Sequence, residues 1–216
     1  MATGDTDVKI CSHAMLLLGV DEISSFSDGT VRAGIAQAIY PDIRSQILGM
    51  YPWSWSMKKV QLAQSATAPV NEFDHAYPLP SDSLSVVPRA LFNSTSANAI
   101  PQNSGWEVYE RAVLTNFDTV VIDYQFSPLE AEMPSYFIQL LKYAMAMHLA
   151  EPLTDQITKG QHWERIAFGH ASEGGRGGAF RQAASTDGMG QPTSFIADYP
   201  LIDSRMTLGG GSIVVG

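Results

Sequence analysis

Tyr51-Pro52-Trp53-Ser54-Trp55 closes a long helical pattern, and Phe73-Asp74-His75-Ala76-Tyr77-Pro78-Leu79-Pro80-Ser81-Asp82 opens a β pattern. Two of the chain's four tryptophans stand in the first cluster. That cluster carries no nucleophile–base pair and no metal-ligand spacing. The segment 51–82 therefore reads as a joint between a helical and a β module. The residues assigned to the joint are Trp53, Trp55, Tyr77, Pro80 and Asp82. The two tryptophans either pack the helices against the β module within one subunit or face a neighbouring subunit.

Upstream of the joint, residues 6–19 read as a helix. Val8, Cys11, Met15 and Leu18 recur at three- and four-residue steps, and Gly19 supplies the stop. A second helix opens near residues 28–30, where Asp28 or Thr30 can cap the free amides. Val31, Ile35, Ile39, Ile43 and Ile47 then follow at strict four-residue intervals as a packing stripe. Pro41 lies inside that stripe and lacks a backbone donor, so either a kink or two consecutive helices is expected there.

Downstream, residues 57–66 fit either a short helix or an extended segment. From 77 to 126 the signal is β. Strands are expected over 83–92, 106–110, 113–116 and 119–126, with a turn at Asn116-Phe117-Asp118. In the last strand Val120, Ile122, Tyr124 and Phe126 share one face, and Thr119, Asp123 and Gln125 the other. The simplest topology is an antiparallel meander with one buried face, interrupted by a polar excursion over 93–104. Helical periodicity returns at Pro134, with Phe137, Ile138, Leu141, Met145, His148 and Leu149 on one broad apolar face. Pro152 is expected to break it. Leu153, Ile157, Trp163, Ile166 and Phe168 mark a further helix, which is expected to run on through Gly174-Gly175-Arg176-Gly177-Gly178 as one long, weakened helix. Beyond residue 187 no periodic core pattern remains. The final Ile213, Val214 and Val215 read either as a frayed terminus or as a strand that adds to another chain's sheet edge.

The expected fold class is α+β. Residues 1–66 and 127–187 form an antiparallel helical bundle from N- and C-terminal helix pairs. Residues 67–126 form an inserted antiparallel β-sheet module, and 188–216 an extended C-terminal tail.

The bulk composition narrows the function classes. The 216 residues are 45% hydrophobic but only 16% charged, against about 25% in an ordinary soluble domain. Such a composition fits either large subunit interfaces or a surface that is polar but uncharged. The net charge of −9 and thirteen scattered Lys and Arg argue against a sequence-independent grip on phosphates. An acidic surface is compatible with lining a channel along which DNA slides without sticking, a reading that composition by itself does not carry. The single cysteine, Cys11, falls on an apolar stripe and reads as a small buried hydrophobe. The N-terminus lacks the basic and apolar regions of a signal peptide, so folding in a cytosol is expected. His148 and Glu151 share a helix face, but no second such pair completes a metal site. The glycine run lacks the strand, the helix start and the Lys-Ser/Thr pair of a phosphate loop. No catalytic residue, cofactor or metal ligand is therefore assigned.

Several stretches, in order, resemble the tail tubular protein A family, the head-to-tail adaptor (connector) proteins of short-tailed bacteriophages. They are Ile10-Cys11-Ser12-His13-Ala14-Met15-Leu16-Leu17-Leu18-Gly19, Tyr40-Pro41-Asp42-Ile43-Arg44, Tyr51-Pro52-Trp53-Ser54-Trp55-Ser56, Tyr77-Pro78-Leu79-Pro80-Ser81-Asp82, Leu114-Thr115-Asn116, Ile122-Asp123-Tyr124 and Arg181-Gln182-Ala183-Ala184-Ser185-Thr186-Asp187. The glycine run at 174–178 departs from that pattern. The resemblance implies a structural virion protein with no enzymatic activity, located at the head–tail junction after assembly in the host cytoplasm. It implies a homo-oligomeric ring, typically of twelve subunits, that docks under the portal protein and receives the tail nozzle protein. DNA would pass through its channel without sequence-specific binding, and no membrane is involved. Under this expectation Ile213, Val214 and Val215 dock on the portal. The competing expectation is a small soluble enzyme or ligand-binding domain with its site in the β insertion, which requires a concave site with convergent polar groups.

Overall fold

The structure, a computed structural model, describes residues 5–70 and 72–190. The terminal Ile213, Val214 and Val215 lie outside the described residues. The fold is α+β, with five α-helices and two three-stranded antiparallel sheets among the described residues.

Helix α1 (Asp7–Leu18) begins where the Thr6 hydroxyl accepts from the Lys9 amide, and it ends where Gly19 turns left-handed at φ 74°. The Gly19 and Val20 amides then close onto the Leu16 and Met15 carbonyls, satisfying two otherwise free acceptors. Helix α2 (Val31–Met50) is capped by Thr30 and passes through Pro41 as one helix. Its isoleucine stripe is buried only at Ile43 and Ile47; Val31, at the other end, is 78% exposed. Four residues advance an α-helix by about 400°, so a strict four-residue stripe winds about 40° per step around the axis. The first half of α2 therefore buries Ala33, Ala36 and Tyr40 instead.

Helix α3 (Ser135–Thr154) is the centre of the bundle and packs against α1, α2, α4 (Ile157–Phe168) and α5 (Gly178–Met189). It buries Phe137, Ile138, Leu140, Leu141, Ala144, Met145, Ala146, Leu149 and Ala150. Pro152 does not break it as expected: α3 runs on to Thr154 and stops at Asp155, which is left-handed at φ 52°. Proline at that point loses one hydrogen bond near the helix end, where the remaining turn is already short.

The single long helix expected through the glycines is not formed. Residues 169–177 make a tight reversal between α4 and α5. Gly169, Gly174, Gly175 and Gly178 all have positive φ, which L-residues with a side chain rarely adopt. At Gly178 a Cβ would overlap the Ile166 carbonyl oxygen and stand 2.9 Å from the Gly169 nitrogen. Gly169, Gly177 and Gly178 stand where the reversal leaves no room for a side chain, whereas Gly174 and Gly175 have open space and serve through their positive φ. Helix α5 extends to Met189, so the first residues of the expected tail are helical.

The strands do not form one meander. Strand β6 (Val121–Gln125) lies between β1 (Met57–Gln61) and β3 (Ala90–Phe92), and β5 (Ala112–Thr115) lies between β2 (His75–Pro78) and β4 (Trp106–Tyr109). The undecided 57–66 segment thus supplies a strand, and β structure begins before residue 67. The expected 83–92 strand shrinks to β3, with Val86 and Val87 about half exposed. Strands β4 and β5 join through Glu110 and Arg111, both left-handed at φ 48° and 59°, as a two-residue hairpin requires. Both sheets feed one apolar cluster built on Leu62, Tyr77, Leu79, Leu91, Val113, Val120, Ile122 and Tyr124. A separate cluster of α1–α5 side chains and Trp53 forms the helical core, which encloses the fully buried Cys11.

Candidate functional site

The chain leaves the helices at Tyr51-Pro52-Trp53 and enters β1 through one 3-10 turn, Ser54–Ser56. The Trp53 ring is fully buried among helices: centroids lie 5.1 Å from Phe137 of α3 and 5.9 Å from Phe180 of α5. Its Nε1 donates to the Ile47 carbonyl at 3.2 Å. Trp55 is half-buried, with its centroid 4.8 Å from Phe137. The expectation that these rings pack the helices against the β module is corrected, because their aromatic partners belong to the helical side. Trp53 is sealed within a single chain.

Leu84 of the β module packs against the helical core, and beside it the link between the modules is hydrogen-bonded. Gln125, at the end of β6, places its Nε2 2.7 Å from the Leu48 carbonyl, 3.0 Å from the Tyr51 carbonyl and 3.0 Å from the Ser56 hydroxyl, three acceptors that share its two hydrogens. It satisfies acceptors at the C-terminal end of α2, where no intrahelical donor remains. The Phe126 amide donates to the Ser56 carbonyl at 2.9 Å, so the backbone returns from the sheet beside its point of departure. Gln125→Leu removes the side-chain donor from the buried Leu48 carbonyl, whereas the Tyr51 carbonyl keeps the Trp53 amide at 2.9 Å, and it is expected to lower stability by about 1–3 kcal/mol. Urea unfolding checks this; an unchanged midpoint would show that Gln125 does not hold the joint.

Two further clamps flank Gln125. Arg44 of α2 reaches the stretch after β6: Nη1 donates to Ser127 Oγ at 2.7 Å, Nη2 to the Pro128 carbonyl, and Nε lies 2.8 Å from Glu130 Oε1. Tyr40 OH donates to the same Glu130 oxygen at 3.1 Å, and burial followed by the Glu130 charge pushes the phenol above its ordinary range. On the opposite side the nearly buried Asp187 of α5 accepts from the Ser54 amide at 2.9 Å, the Ser54 hydroxyl at 2.7 Å and Tyr136 OH at 2.8 Å. Burial, then Asp187 itself, raises the Tyr136 phenol so that it stays a donor.

The remaining residues assigned to the joint lie apart from the tryptophans. Tyr77 is buried in the strand cluster, and its hydroxyl donates to the Phe117 carbonyl at 2.7 Å. The Pro80 carbonyl accepts from Arg111 Nη2 at 3.3 Å. Asp82 accepts from Lys58 Nζ at 3.1 Å and Tyr124 OH at 3.0 Å. Partial burial disfavours its charge, but these donors outweigh that and hold its carboxyl below the usual range. The Ser127 amide donates to the Asp82 carbonyl at 3.3 Å, which links Asp82 to Arg44. Of these three, Asp82 alone stands near the polar link between modules, whereas Trp53 and Trp55 belong to the same turn as the Ser54 and Ser56 groups held there. Gln125, Arg44, Ser56, Tyr136 and Asp187 were missed. Gln125 sits in the slot that strand alternation marks as solvent-facing, yet it is buried, because β6 is covered on both faces.

A depression of about 650 Å³ on the β2–β5–β4 sheet gathers Glu72, Glu107 and Glu110 beside Ala112 and Leu114. It is the concave feature a ligand-binding reading would use. Among the described residues no group of three or more His, Cys, Asp or Glu side chains is placed to hold a metal ion. Also among them, no helix is long and apolar enough to cross a membrane. No family model matches the chain, and no curated protein matches it.

Proposed function

We propose that the chain is a structural head-to-tail adaptor of a short-tailed phage, assembling as a ring between the portal and the tail nozzle. The observation that carries the reading is the ordered set of stretches from Ile10 to Asp187, above all Tyr51-Pro52-Trp53-Ser54-Trp55-Ser56 and Tyr77-Pro78-Leu79-Pro80-Ser81-Asp82, at the junctions of an α+β chain. The double tie of the modules through Gln125 and Asp187 is in keeping with a part that transmits load between two larger assemblies. Charge supports it as well. Six of the thirteen Lys and Arg are engaged with carboxylates, and the net charge of −9 gives the surface little pull on passing DNA.

Mixing the protein with purified portal and imaging the product by electron microscopy tests the proposal. A ring stacked on the portal is the expected result, and absence of binding would sink it. Replacing Ile213, Val214 and Val215 together by Asp is expected to weaken docking without changing the thermal unfolding of the free chain. Equal docking would remove the terminal segment from the interface.

A further inference from the structure

Among the described residues, the β2–β5–β4 sheet has one edge closed and one open. Alternate residues of an edge strand turn their backbone groups away from the sheet. In β2 these are Ala76, whose carbonyl accepts from the Ser65 amide at 2.7 Å, and Pro78, which has no amide to offer. Strand β4 differs. Its two-residue hairpin makes Tyr109 and Ala112 a pair that exchanges both backbone hydrogen bonds, and Glu107 and Leu114 the next such pair. Trp106 and Val108 therefore turn their amides and carbonyls outward, and no described backbone group hydrogen-bonds to them there. Free backbone groups along a sheet edge are a template for another extended chain.

The side chains along this edge alternate as well. Trp106 and Val108 pack on the strand cluster, while Glu107 and Tyr109 share the opposite face with Leu114 and Ala76. There they border the depression of about 650 Å³, whose floor is low because Ala76 and Ala112 are small. Tyr109 is 58% exposed at its border.

Charge selects the occupant. Glu72, Glu107 and Glu110 border the depression, and none of them forms an ion pair with a described residue. A second copy would bring the same carboxylates on the same edge, and pairing β4 with β4 would set like charges side by side. A strand with Lys or Arg at alternate positions meets the opposite situation. Its backbone pairs with Trp106 and Val108. Its aliphatic stems lie over Ala112 and against the Tyr109 ring, and its cationic heads reach the carboxylates.

We propose that the β4 edge takes an extended segment of a partner protein, bearing Lys or Arg at alternate positions, as an additional strand. This does not rest on the adaptor reading.

The probe is a fluorescein-labelled hexapeptide of alternating lysine and valine, titrated by anisotropy against the full-length chain. It is expected to bind at least tenfold more tightly than a peptide with the same lysines and prolines in place of the valines, which keeps the charge but cannot join a ladder. E107K/E110K is expected to weaken binding at least tenfold; both positions are exposed, and thermal unfolding checks that the fold is kept. E22K/D42K makes the same change in net charge at exposed positions outside the β module and is expected to weaken binding far less. At saturating peptide, hydrogen exchange at the Val108 amide of the unsubstituted chain is expected to slow at least tenfold. Equal affinities for the two peptides, equal effects of the two double variants, or unchanged exchange at Val108 would each overturn the proposal. Slow Val108 exchange in the free chain that speeds up on dilution would also overturn it and give the edge to a second copy.

Discussion

Trp53→Ala is expected to lower the unfolding free energy by about 3–5 kcal/mol, the range for removing a large aromatic ring from a packed core. The ring is inaccessible to solvent and meets Tyr51, Phe137 and Phe180 edge-on, so truncation opens a cavity lined by three other aromatic groups. The Ile47 carbonyl also loses its indole donor. Denaturant unfolding with an unchanged slope and a shifted midpoint is the expected signature. Trp53→Phe keeps most of the volume and is expected to cost clearly less. Near-wild-type stability for Trp53→Ala would remove this side chain from the core.

Gly178→Ala is expected to be the most damaging Gly→Ala change among the described residues. The left-handed backbone at φ 52° costs a residue with a Cβ about 1–2 kcal/mol. The overlap with the Ile166 carbonyl oxygen adds about 1–3 kcal/mol, because backbone has to move. Gly174→Ala separates the two contributions. Its φ is 61°, but a Cβ there meets nothing within 4 Å, so only the conformational part is expected. Thermal unfolding of both variants checks the difference. Equal losses would show that the α4–α5 reversal has room to spare.

These two sites show what local pattern reveals and what it hides. Helix α1 and its stop at Gly19 were legible because cap, periodicity and glycine act within one turn of one another. The α+β class was legible because the period changes at Pro52 and changes back at Pro134. The glycine run was legible as a weak point. Its reading as a reversal needed the approach of α5 to Ile166, which no window of sequence contains. The meander failed for the same reason: β5 pairs back to β2, and β6 pairs with β1 and β3, which precede the β4–β5 hairpin in the chain. The candidate site was the least legible part. Ser54 and Asp187 are 133 residues apart, and Gln125 and Leu48 are 77 apart. Each is an ordinary polar residue in an ordinary polar slot until its distant partner is in place. The tryptophans drew attention to the right few residues of chain, but their own contacts stay inside the helical core.

The single hydrogen bond between Phe126 and Ser56 has a consequence for how such a protein can change over time. The helical scaffold releases the chain and takes it back at one spot, so whatever lies between is hung from it like a cassette. Segments attached this way tolerate replacement, because the scaffold's own geometry sets the spacing of their two ends. Different β modules could be exchanged at that spot to suit different neighbours while the five helices kept the same packing.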